Sequence, residues 1–94
     1  MSSENMKEEE IANIFKVLSV EARVKIFLLL KEKPYCSGAL AYRLGMTPAA
    51  VSQHLRILSS AGVVKGKRMG NFVHYTINDK VFSLWKKEIL KILQ

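Results

Sequence analysis

The stretch Ser37–Gly62, SGALAYRLGMTPAAVSQHLRILSSAG, leaves this chain few folds to choose from. It divides at Gly45-Met46 into two short helical segments. The second opens with Thr47, whose hydroxyl can cap a helix, followed by Pro48, whose missing N–H is harmless at a first helical position. Gly62 is the residue type that closes such a segment in the left-handed conformation. A short helix, a tight turn and a second helix that starts at a capping residue make the helix-turn-helix pattern, whose second helix can lie in a DNA major groove.

Side-chain periodicity gives that second helix two distinct faces. The spacing predicts helices over about Ser37–Leu44, with Leu40, Ala41 and Leu44 inward, and over about Thr47–Ala61. Advancing about 100° per residue from Val51, the positions Leu55, Leu58, His54, Ala50 and Ile57 fill an apolar arc of roughly 160°. The opposite face carries Ala49, Ser52, Gln53, Arg56 and Ser60, small and polar as a groove-reading surface requires.

The flanks supply a scaffold. Val63–Ile77, VVKGKRMGNFVHYTI, is rich in β-branched and aromatic residues and turns at Met69-Gly70-Asn71, which predicts a β-hairpin. Lys65, Lys67 and Arg68 sit on its first strand and tip. Ahead of the helix-turn-helix, Ile11, Ile14, Phe15 and Leu18 mark a first helix over about 6–18. Ser19 is expected to cap a second, with Val24, Phe27, Leu28 and Leu30 toward its buried side and Pro34 as its stop. Asn78 is expected to cap a last helix over about 79–93, with Val81, Leu84, Trp85, Ile89, Ile92 and Leu93 on one side. Met1 to about Asn5 are expected to fray. The expected fold is a single domain over 1–94, mainly α with a small β-hairpin. Its order is four helices, two strands and a fifth helix, that of a winged helix-turn-helix with the motif at about 37–62 and the wing at about 63–77.

Charge follows the motif. The chain of 94 residues carries a net charge of +7. No acidic residue lies between Glu32 and Asp79, where Lys33, Arg43, Arg56, Lys65, Lys67 and Arg68 all fall. Such segregation suits a polyanion. Arg56, Lys67 and Arg68, with Thr47, are expected to meet phosphates, and Ser52 and Gln53 to read base edges. Ala49 can meet a thymine methyl, and Asn71 joins the set at the wing tip. No nucleophile–base pair, phosphate-binding loop or carboxylate pair points to an enzyme. The single cysteine, Cys36, excludes an intrachain disulfide and an all-cysteine zinc site within one chain. The polar, acidic start MSSENMKEEE is no signal peptide, and the longest apolar run, Ile26–Leu30, is too short to span a bilayer. A soluble, cytoplasmic protein is expected.

The runs LSVEARVKIFLLL and LAYRLGMTPAAVSQHLRILSSAGVVKGKRMGNFVHYTI resemble the arsenic-repressor (ArsR/SmtB) family of transcription regulators, over about Phe15–Asn78. The resemblance implies a homodimeric winged helix, with dimerisation through the first and last helices (about 6–18 and 79–93). It further implies repression by binding a palindromic double-stranded operator, relieved by a metal ion or another signal. The departures bear on that signal. Family sensors of arsenic and of lead or cadmium carry a Cys-x-Cys pair at the start of the third helix; here Cys36 takes the first place and Gly38 the second. Sensors of zinc, cobalt and nickel place Asp and His on the last helix, which here has Asp79 and Glu88 but no histidine. The usual metal sites are therefore expected to be missing, and no cofactor is expected.

Cys36 is either a small packed side chain or a sensor thiol, with only Lys33 and the start of the next helix near it in sequence to lower its pKa. His54 is expected at the edge of the buried arc and His74 on the wing surface. A dimeric repressor is the first reading. The alternatives are a redox-responsive regulator acting through Cys36 and a winged-helix module for an acidic protein or RNA.

Overall fold

The apolar arc of the second motif helix is the centre of the core. In the computed structural model, which describes residues 6–94, Val51, Leu55 and Leu58 are at most 1% exposed. The expected fraying of Met1–Asn5 falls outside the described residues. Ile14, Ile26, Leu40 and Val63 close around that arc with no greater exposure. Each such side chain contributes roughly 1.5–3 kcal/mol by leaving water.

The elements are α1 (Glu8–Val17), α2 (Glu21–Glu32), β1 (Tyr35–Cys36), α3 (Ser37–Leu44), α4 (Pro48–Ser60), β2 (Val64–Met69), β3 (Phe72–Ile77) and α5 (Asp79–Leu93). All five expected helices form, and no described helix is long and apolar enough to cross a membrane. Asn78 caps α5 as expected, its Oδ1 accepting from the Val81 N–H at 3.4 Å. The Asn78 N–H also donates to the Val63 carbonyl at 2.8 Å, which holds the two ends of the hairpin together.

Three local expectations are overturned. Ser19 does not cap α2: Val20 holds that position without a side-chain bond, and Ser19 Oγ donates to the Lys16 carbonyl at 2.7 Å. A hydroxyl just after a helix finds that helix's unpaired last-turn carbonyls first. On α2, Ile26, Phe27 and Leu30 are buried, whereas Val24 and Leu28 are exposed. The continuous run Ile26–Leu30 has no period of its own, so neighbouring elements choose its inward face.

The third correction concerns the sheet. It has three antiparallel strands in the order β1-β3-β2, not two. Tyr35 pairs with Tyr75 and Cys36 with His74. Two residues after a proline are too few to show alternation, so β1 carries no strand signal in the sequence. Its presence makes β3 the central strand and half-buries His74, which was expected on the wing surface.

The last helix buries a carboxylate. Glu88 is 2% exposed beside Trp85, and its Oε1 lies 3.5 Å from Lys91 Nζ. Replacing such a pair by apolar side chains is often neutral, so its presence is weak support for stability.

Candidate nucleic-acid interface

The turn that sets α4 apart from α3 is built on Gly45, in the left-handed conformation at φ 63°. Its N–H donates to the Tyr42 carbonyl, and the Met46 N–H to the Ala41 carbonyl at 3.0 Å, which closes α3. Thr47 then caps α4 through Oγ1, which accepts from the Ala50 N–H at 3.2 Å, with Pro48 next. Gly62 has the expected left-handed backbone at φ 84°.

Ala49, Ser52, Gln53 and Arg56 are all exposed along one face of α4, and Thr47 is exposed at its head. The face is coherent but not uniform. Arg56 borders a shallow hollow shared with Asn13 and Val17 of α1, whereas Ala49, Ser52 and Gln53 stand nearer the capped end. His54 is half-buried at the edge of the inward arc, as expected, and its Nδ1 has no partner among the described residues.

Register decides how the wing presents its cations. Lys65 pairs with Thr76, Lys67 with His74 and Met69 with Phe72, while Gly66 pairs with Tyr75 and Arg68 with Val73. Alternation along a strand puts the first three pairs on one face and the last two on the other. Lys67 and Arg68, adjacent in sequence and both exposed, therefore straddle the wing instead of forming one patch. At the tip, Gly70 takes φ 66° at the first central position of a two-residue turn, and Asn71 is exposed beside it.

Electrostatically the interface stands open. The ion pairs found among the described residues, Lys25–Glu21 at 3.3 Å and Lys91–Glu88 at 3.5 Å, both lie outside the acid-free segment 33–78. Lys33 and Arg43 flank the Tyr35 ring at 5.3 and 5.8 Å, which keeps their charges at the head of the motif. Arg56, Lys65, Lys67 and Arg68 are exposed.

Cys36 is half-buried at the N-cap position of α3, and its side chain makes no capping bond. Across the sheet it faces His74, which in turn faces Lys67. The Nδ1 of His74 is buried with no partner among the described residues. His74 was missed as a neighbour of Cys36 because only the unpredicted strand β1 brings the two together.

The sequence pattern of the bacterial regulatory proteins of the arsR family matches residues 21–65, from α2 to the start of the wing. The transcriptional repressor SdpR of Bacillus subtilis is 36% identical over 69 residues, which make up 73% of this chain and 77% of SdpR. The chain belongs to the ArsR family. A cadmium resistance transcriptional regulatory protein, a CadC homolog of Staphylococcus aureus, is 35% identical over 72 residues. That match covers 76% of this chain and 60% of the homolog. Among solved structures, the homodimeric winged helix-turn-helix DNA-binding domain of a Mycobacterium bovis protein superposes with a TM-score of 0.74 at 24% identity. It covers 99% of this chain and 89% of that one. The fold is thus a winged helix-turn-helix, and this ArsR-family chain is a DNA-binding transcriptional regulator and not an enzyme.

Metal sensing of the family's usual kinds does not fit the residues present. Gly38, exposed two residues beyond Cys36, has no side chain to supply the second thiolate, and α5 has no imidazole. Among the described residues no three His, Cys, Asp or Glu side chains converge. One thiol per chain cannot complete a trithiolate.

Proposed function

We propose that the chain is a cytoplasmic homodimeric repressor whose two α4 helices enter successive major grooves of an imperfectly palindromic operator. The observation that carries this is the exposed Ala49–Ser52–Gln53–Arg56 face, free of bulky apolar side chains, in a segment whose cations have no acidic partner among the described residues. Thr47, Arg56, Lys67 and Arg68 hold phosphates in this reading. Ser52 and Gln53 read base edges, Ala49 meets a thymine methyl, and Asn71 contacts the groove under the wing. Dimerisation is supported by large apolar side chains left exposed on α1 and α5, namely Phe15, Leu84, Leu90, Ile92 and Leu93.

Selection of duplexes from a random-sequence pool by the purified protein, at physiological salt, tests the proposal. The expected result is a palindrome whose half-site centres lie about one helical turn, roughly 10 base pairs, apart. Enrichment of no duplex, with retention of RNA or an acidic polypeptide, would establish the interaction-module alternative.

A second reading concerns release. The register that sets His74 opposite the half-buried Cys36 on one face of the sheet, beside the wing, supports a thiol-based signal with a peroxide as oxidant. Peroxide should then free the DNA from the parent protein and leave Cys36→Ser bound.

A further inference from the structure

The tip of the wing carries two apolar side chains, Met69 and Phe72, that neither the base-edge contacts nor the phosphate contacts proposed above use. Met69 and Phe72 form the last cross-strand pair, flanking the Gly70-Asn71 turn, and are 52% and 62% exposed. No core packing explains them. The inward side of this sheet is buried at its base, through Val64 and Tyr35, whereas every residue from Lys65 to Phe72 is exposed. The hairpin thus carries a phenyl ring and a thioether out past the core, into water.

Their surroundings define the partner. Lys65 and Lys67 lie on the same face as Met69 and Phe72, and Arg68 lies on the other. The apolar tip is therefore rimmed by cations, within a segment that has no acidic residue from Lys33 to Asn78. A complementary surface needs an anionic border and an apolar interior open to a thin wedge. Duplex DNA has that form once a step opens, with phosphates along the rim of a minor groove about 6 Å wide, base edges on its floor and apolar base faces between adjacent pairs. An anionic membrane shares the chemistry. DNA is favoured because the cations beside the tip belong to the same acid-free segment as the exposed face of α4, in a chain of a DNA-binding family.

We propose that Phe72, backed by Met69, is a wedge that enters the minor groove beside each half-site and partly unstacks one base step, bending the operator. Phe and Met belong to the side chains that act this way in architectural proteins. The proposal rests on the DNA-binding reading above and adds a second source of selectivity. Pyrimidine–purine steps unstack most easily, so TA or CA/TG should be preferred under the wing.

The test uses the full chain and a 30-base-pair duplex recovered by the selection described above, with 2-aminopurine placed at successive positions outside the half-sites. The parent protein should raise the fluorescence at one step on each side and shorten the end-to-end distance measured by energy transfer. Phe72→Ser should abolish the fluorescence rise, straighten the duplex and weaken binding about tenfold. The salt dependence should stay unchanged, since no charge is lost. Phe72→Leu, still a wedge, should retain most of the bend. Both side chains are exposed, so an unchanged melting temperature is expected and shows that the hairpin is intact. If Phe72→Ser and Met69→Ser bind and bend the duplex as the parent does, the wedge is wrong and the operator reading stands. The wedge is equally wrong if these variants lose only binding to phosphatidylglycerol vesicles. If the parent selects no duplex, both proposals fall.

Discussion

Thr47 has two separable duties in this structure, and three substitutions pull them apart. It is exposed, so its contribution to stability is the single bond from the Ala50 N–H to its Oγ1 at 3.2 Å. Thr47→Val keeps the shape and removes the acceptor, which should destabilise the fold by about 1 kcal/mol. For a domain of this size that lowers the melting temperature by about 4–8 °C. Thr47→Asp keeps an acceptor and adds a negative charge at the positive end of α4, so its melting temperature should equal or exceed the parent's. The same charge would face a phosphate in the complex. At about 4 Å in water the repulsion is about 1 kcal/mol, or roughly a fivefold loss of affinity at low salt. Thr47→Ser should resemble the parent in both respects. Melting is followed by circular dichroism at one protomer concentration, because a dimer's stability depends on concentration, and affinity by fluorescence anisotropy. Parent-like binding by Thr47→Asp would refute the phosphate contact. Parent-like melting of Thr47→Val would show that the cap contributes nothing.

The remaining expectations concern separate parts of the molecule. Lys67→Ala should weaken binding to all sequences and reduce the slope of log affinity against log salt by about one unit, measured by titration at four salt concentrations. Gln53→Ala should flatten discrimination at one base pair per half-site, which a panel of single-substitution duplexes will show. Leu55→Ala removes a side chain 1% exposed at the centre of the core and should cost about 2–5 kcal/mol, read from urea unfolding. Phe15→Glu and Leu84→Glu alter exposed apolar positions on α1 and α5. Both should leave the fold intact and shift sedimentation from dimer to monomer.

Where the sequence carried strong punctuation, it could be read closely. Thr47-Pro48, Gly62 and Asn78 each dictate a local backbone state, and α3, α4 and α5 form within about a residue of the expected bounds. The exposed polar face of α4 was legible because Val51, Leu55 and Leu58 recur at helical spacing and leave only one polar side. Long-range pairing was not legible. Tyr35-Cys36 becomes a strand only because β3 offers it an edge, and with it came the neighbourhood of Cys36 and the half-burial of His74. Likewise the exposure of Val24 and Leu28 and the burial of Glu88 depend on which elements pack against α2 and α5. The divergence of Lys67 and Arg68 was implicit in strand alternation once the register was known.

The central place of β3 also turns the sheet into a lever. Through Asn78, β3 runs directly into α5; through β1 it is bonded to the segment that becomes α3; and on its other edge it carries the wing. Six residues of strand span about 20 Å, so a tilt of about 10° at the Asn78 end carries the wing tip about 3.5 Å sideways. That is more than half the width of a minor groove, about 6 Å. In the proposed complex, a displacement of α5 at its junction with β3 would therefore be magnified at the wing tip, and a movement too small to disturb the core would shift the wing by more than half a groove width.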